Sequence, residues 1–362
     1  MKITGLRTAR VDLPLREPFV TSLHDIRSIG CLLVYLDTDD GVTGESYMWL
    51  SSAGRLPVLD AMVKSLADLV VGRDHAGVRA IWQDMWDAVE LLDRRGVTMF
   101  GISAIDTACW DLMGKAREAP VHRLLGTVRD RVPVYADGGL FTSMTIAELV
   151  TQANGFLDKG FRAMKMRIGP PSLAETEQRV AAIREAIGPD VALMADVNQG
   201  LNVADAIRLG RALEPYKLAW LEEPIPGHDI AGAARVAAEI DTPVALGQSI
   251  YNRYGFAEVM EREAAGVLMP DLQRVGGISE FIKVAHMAEA LDLPVTPHLF
   301  TEQCLQLCAV LPNCFYAEHI SWFETLFAEP LEMEDGCLLV PDRPGLGFTF
   351  DPDAVARYRV PD

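Results

Sequence analysis

Lys165, Asp196, Glu222, Gln248, Asp271, His298 and Glu318 follow one another at gaps of 31, 26, 26, 23, 27 and 20 residues, each at or near the end of a short apolar run. Their types suit ionic and proton-transfer chemistry. Asp196, Glu222 and Gln248 offer oxygen donors of the kind a hard cation such as Mg²⁺ takes, and two clustered carboxylates repel unless a proton or a cation neutralises them. Gln248 can ligate through its amide oxygen, without a charge, or hydrogen-bond a substrate instead. Lys165 and Arg167 stand two apart, so in a strand they share a face. A desolvated lysine can give up its proton, which makes Lys165 a base or an electrostatic stabiliser; arginine does not, which casts Arg167 as an anion clamp. Asp271 beside His298 would fix the imidazole tautomer and aim the other ring nitrogen at a substrate. Glu318, kept protonated by burial, would donate to a developing oxyanion. Singly, each residue also fits loop capping or a rim ion pair; their regular recurrence favours a shared site.

A gap of one strand plus one helix explains that recurrence. From about Val132 the runs VPVYA, RAMKMRI, VALMAD, LAWLEE, PVALGQ, GVLMPD, LPVTPH and FYAE alternate with helical patterns such as 175–187, 203–213, 229–240, 255–263, 277–291 and 301–310. Eight such strands predict a (β/α)₈ barrel, whose functional groups gather at the C-terminal rim of the strands. An open doubly wound sheet is the alternative, but no glycine-rich phosphate loop follows the first strand. Ahead of the barrel, alternating runs at 3–13, 31–36 and 42–47, the last two joined through Asp39-Asp40-Gly41, predict an antiparallel meander. Helical patterns over 56–71, 77–91 and 99–117 complete an α+β unit.

The bulk composition narrows the partners. The 362 residues carry 33 Lys+Arg against 51 Asp+Glu, a net charge of −18 that argues against nucleic acid or an anionic membrane. An acidic small molecule stays admissible, because a local cation can reverse the field inside a cleft. The opening MKITGLRTARVDLPL has no signal-peptide pattern, and no apolar run is long enough to span a bilayer. The six cysteines show no CxxC spacing and read as reduced thiols. A cytoplasmic protein is expected.

The segments GISAIDTACWDLMGKA at 101–116, LLG at 124–126, GFRAMKMRIG at 160–169, MADVNQG at 194–200, WLEEP at 220–224, MPDLQRVGGIS at 269–279 and TPHLF at 296–300 together resemble the mandelate racemase/muconate lactonizing branch of the enolase superfamily. The resemblance covers nearly the whole chain. It implies an α+β capping domain (1–125), a (β/α)₈-type barrel (126–325) and a C-terminal segment (326–362) that returns to the cap. Cap loops around 21–26 and 47–50 would close over the barrel and select substrate, with His24, Asp25 and Tyr47 as polar candidates and Asn198 as a further substrate contact. One Mg²⁺ would be held by Asp196, Glu222 and Gln248, with His298 and Asp271 as the base dyad and Glu318 as the oxyanion-side acid. Family members often form homo-oligomers. Two positions depart from the family pattern: Arg167 stands where a second, catalytic lysine is usual, and Gln248 where a third metal carboxylate is expected.

What this implies is Mg²⁺-dependent removal of the proton next to a carboxylate, giving a stabilised enediolate; superfamily sites are a standard illustration of a Lys or His base working with Mg²⁺. With His298 as the principal acid/base, dehydration or cycloisomerisation of a sugar acid is expected. A racemase or epimerase of a 2-hydroxy or amino acid is the next reading, and a non-catalytic carbohydrate-acid binder is a third.

Overall fold

The computed structural model describes residues 1–20, 25–169 and 172–361. The chain opens with strands β1 (Ile3–Val20), β2 (Asp25–Thr38) and β3 (Thr43–Leu50) in an antiparallel sheet of that order. The expected hairpin is present: Gly41 adopts φ +80°, and the Thr38 hydroxyl donates to the Val42 carbonyl at 2.7 Å. The first two strands run longer than alternation indicates, because a register shift between Pro14 and Phe19 absorbs the pattern break.

Helices α1 (Leu56–Ser65), α2 (Val78–Ala88) and α3 (Val97–Ala116) pack on this sheet, followed by the short α4 (Val121–Leu125). The first two stop earlier than the sequence suggests, each giving way to a 3₁₀ turn, at Ala67–Leu69 and Glu90–Leu92. α3 is buried on nearly every side, because the sheet covers one face and the barrel another.

The barrel strands are β4 (Arg131–Ala136), β5 (Ala163–Arg167), β6 (Ala192–Asp196), β7 (Leu221–Glu222), β8 (Val244–Leu246), β9 (Val267–Leu268) and β10 (Ala317–His319). Each of β4 to β8 pairs in parallel with the next, and β10 pairs in parallel with β4. The seventh expected strand, LPVTPH, is not a regular strand. Val295 bridges Leu268 and Cys314, and His298 bridges Asp271; Pro294 and Pro297 bring no N–H to a ladder. Around the strands run α5 (Ile146–Asp158), α6 (Leu173–Ile187), α7 (Val203–Leu213), α8 (Ile230–Ala237), α9 (Asn252–Glu261), the one-turn α10 (Leu272–Val275), α11 (Ile278–Glu289) and α12 (Thr301–Cys308). α5 starts with a Thr145/Glu148 capping box.

The lumen has its own apolar floor of Tyr135, Ala163, Met194, Trp220, Ala245, Val267 and Met269. Side chains two apart on a strand share a face. Lys165, Asp196, Glu222 and Asp271, each two residues beyond a floor residue, therefore rise into the same lumen. Past β10, hairpin β11 (Met333–Glu334) and β12 (Cys337–Leu339) adds to β4 antiparallel. The final helix α13 (Pro352–Tyr358) leads back to the cap, where Val360 N–H donates to the Arg10 carbonyl at 2.9 Å. Among the described residues, no helix is long and apolar enough to cross a membrane.

Candidate active site

At the C-terminal mouth of the barrel a cavity of about 210 Å³ is walled below by Asp137, Arg167, Asn198, Glu223, Gln248 and His298 and above by Phe19, Ile26 and Trp49 of the cap. The cap is fastened there by polar contacts. Tyr47 exchanges backbone hydrogen bonds with the Gln303 amide at 3.1 Å in both directions, and Trp49 N–H donates to Gln273 at 2.8 Å.

Lys165 is fully buried, with its Nζ 2.7 Å from Glu318, 3.0 Å from Glu222 and 3.6 Å from Asp137. Burial alone would strip its proton, but the carboxylates of Asp137, Glu222 and Glu318 outweigh that and hold its pKa above the ordinary lysine range. Lys165 is thus a fixed ammonium here, which favours the electrostatic alternative over the base. The same contact corrects the expectation for Glu318. Burial pushes its carboxyl up, yet Lys165 and His298 pull it well below the usual range, so Glu318 is ionised rather than a protonated donor. Glu318 also accepts from Leu299 N–H at 2.5 Å.

Arg167 bridges two carboxylates, Asp196 and Asp137, the latter with Nη2 at 2.7 and 2.6 Å. Its guanidinium lies 5.0 Å from the Phe19 ring centroid, which brings the cap over the cluster. Asp196 is further held by Asn198, from backbone N–H at 2.7 Å and side chain at 3.0 Å. Glu222 accepts from Trp220 Nε1 at 3.1 Å, and Gln248 Nε2 lies 3.4 Å from it. Burial, with Asp196 next to it, pushes the Glu222 carboxyl well above its usual range. The cluster therefore holds more negative character than its two cations balance. Among the described residues no three His, Cys, Asp or Glu side chains form a ready metal cage, since the third position carries the amide of Gln248.

His298 Nδ1 is 2.7 Å from Asp271 Oδ2. Burial works against the Asp271 charge, but Arg274 and His298 hold its pKa below the usual range, so it accepts and Nδ1 carries the hydrogen.

The structure thus gathers Lys165, Arg167, Asp196, Asn198, Glu222, Gln248, Asp271, His298 and Glu318 around one mouth. Tyr47 is a correction: it is fully buried, its hydroxyl donates to Glu302 at 2.8 Å, and its ring packs among Phe300, Phe323 and Phe327. Tyr47 and Trp49, two apart on β3, share a face; Tyr47 lies where that face meets the core, and Trp49, one residue from the strand's end, is the one that reaches the cavity. His24 lies outside the described residues. Sequence reasoning missed Asp137, Glu223 and Arg274. Asp137 was accessible, since VYAD ends a strand run 28 residues before Lys165.

Residues 3–126 match the family described as mandelate racemase/muconate lactonizing enzyme, N-terminal domain, and residues 148–354 match the enolase C-terminal domain-like family. The chain belongs to the mandelate racemase/muconate lactonizing enzyme family. Within that family it is 35% identical to the 3,6-anhydro-alpha-L-galactonate cycloisomerase of Streptomyces coelicolor over 99% of each chain. It is 33% identical to the L-talarate/galactarate dehydratase of Salmonella typhimurium, covering 97% of this chain and 91% of that one. The crystal structure of L-talarate dehydratase from Polaromonas sp. JS666, complexed with Mg and L-glucarate, superposes with a TM-score of 0.92 at 33% identity, covering 99% and 98% of the two chains.

Proposed function

We propose that this family member is a Mg²⁺-dependent lyase or intramolecular lyase of sugar acids, removing the proton next to the carboxylate and then expelling a β-hydroxyl or a ring oxygen. The observation that carries this reading is the Asp271-held imidazole of His298 facing the same cavity as Arg167 and the acidic cluster. The relatives' activities, a cycloisomerase and a dehydratase, are of this class.

The cluster fits a divalent cation. Asp196 and Glu222 end adjacent strands, Gln248 would supply its amide oxygen once the terminal amide is turned over, and the raised pKa of Glu222 marks a carboxylate in need of positive charge. When bound, Mg²⁺ supplies Lewis-acid stabilisation of the substrate carboxylate. The chain's own residues do the rest. Arg167 and Lys165 offset part of the negative charge of Asp137, Asp196, Glu222 and Glu318, and the bound cation would supply the remainder that an anionic substrate needs. His298 takes the α-proton on the nitrogen turned away from Asp271, and as imidazolium returns it to the departing oxygen. Arg167, which does not deprotonate, leaves the acid–base work to His298. Asn198 and Trp49 line the cavity and would contact the substrate. The free cysteines, five of them buried, fit a reducing compartment.

The test is a panel of aldonic, aldaric and anhydro- or lactone acids with Mg²⁺, with product read by NMR in D₂O. Loss of water or ring opening supports the proposal. Deuterium incorporation with neither makes the protein a racemase or epimerase instead, and no turnover on any acid leaves only binding.

A further inference from the structure

Asp271 does more than face His298. It caps the one-turn helix α10, its Oδ1 accepting the Arg274 backbone N–H at 2.9 Å, while Oδ2 accepts Arg274 Nη1 at 2.9 Å and His298 Nδ1 at 2.7 Å. One carboxylate oxygen is therefore shared between a permanent cation and the base. The turn that carries Arg274 is gripped by three elements of the cap. Ser103 of α3 donates to the Leu272 carbonyl at 2.7 Å, Trp49 N–H of β3 to Gln273 at 2.8 Å, and Trp82 Nε1 of α2 to the Gly276 carbonyl at 2.8 Å.

We propose that Arg274 is a positioning residue for the base, fixing Asp271 and drawing off part of its charge so that His298, once protonated, can release its proton again. With three donors on Asp271, its carboxylate cannot rotate away from the imidazole. The guanidinium also opposes the attraction of Asp271 for an imidazolium. Among the described residues, the carboxylates of Glu223 and Glu318 also act on His298 and favour its protonated form, while Arg167 lines the same cavity and, like Arg274, works against it. The cap thereby acts on the base through the α10 turn as well as by covering the cavity.

The inference rests on the acid–base role proposed for His298, and its test separates the two. Arg274→Met removes the charge and keeps the stem; Arg274→Gln serves if that variant folds poorly, and Arg274→Lys restores a cation. In the Met variant the acidic limb of kcat/KM moves to higher pH by about one unit, kcat falls more than KM rises, and the Lys variant recovers most of the loss. Without substrate, NMR of histidine-labelled protein, with His298 assigned against His298→Asn, shows the ring taking up its proton at higher pH in the Met variant. An unmoved ring titration overturns the inference even if no sugar acid is turned over. A raised KM with an unmoved pH profile also overturns it, making Arg274 a substrate contact.

Discussion

His298 has Nδ1 committed to Asp271 and lines the cavity, which leaves its other ring nitrogen as the candidate for moving the substrate's proton. His298→Asn should lower kcat by roughly 10²- to 10⁴-fold while Mg²⁺ binding, followed by calorimetry, stays as in the unsubstituted chain. Wild-type turnover in that variant would remove the residue from the mechanism. Gln248 offers a converse test. Restoring a carboxylate by Gln248→Glu adds a ligand charge beside Asp196 and Glu222, and the Mg²⁺ titration should tighten by about tenfold; unchanged or weaker binding puts Gln248 outside the metal's shell. At this scale the sequence was readable where a side chain ends a strand, since spacing and period-2 alternation together aim it at the lumen. It was not readable where charge state depends on partners from other strands. Neither the fixed ammonium of Lys165 nor the ionised carboxylate of Glu318 follows from residue type, because each is set by the other at 2.7 Å. Tyr47 failed for a simpler reason: it shares a face of β3 with Trp49, and alternation alone cannot say where along the strand that face passes from core to cavity.

Among the elements, β3 and α3 show how closely the cap must pack to place Trp49. A Cβ at Gly44 would collide with the Ala108 carbonyl and the Leu112 side chain of α3. Gly44→Ala should destabilise the protein by about 1–3 kcal/mol, read as a lower denaturation midpoint; an unchanged midpoint would mean the sheet can lift off α3 without cost. Helices were legible from their 3.6-residue pattern, as α3 shows by falling within two residues of its expected start and one of its end. The seventh barrel strand was not, because LPVTPH has the apolar pattern of a strand while its two prolines deny it the ladder. Position survived without regular structure, and the Asp271–His298 bridge still places the base.

Across the whole molecule, the joint between cap and barrel buries two carboxylates that work against it at high pH. Asp106 of α3 accepts from Ser279 backbone and hydroxyl at 2.8 and 2.6 Å, and Glu302 of α12 accepts from Tyr47. Burial raises Asp106 to about 7 and Glu302 to about 7, each from an ordinary carboxylate value. Between about pH 4 and 7 the folded protein therefore binds more protons at these sites than the unfolded chain. Their contribution is fully present below the unfolded pKa and is lost as pH rises through 7. His122 and His319, whose pKa values burial lowers, act in the opposite sense below about pH 6.5, so the net slope alone cannot isolate the carboxylates. The double variant Asp106→Asn/Glu302→Gln can. Urea denaturation at pH 5, 6.5 and 8 should show the unsubstituted chain losing stability relative to the double variant as pH rises, by up to several kcal/mol, with most of the change complete by pH 8. A difference that stays constant across that range would mean both carboxyls titrate in the folded protein as they do in the unfolded one, and that the joint is far wetter than its hydrogen bonds imply.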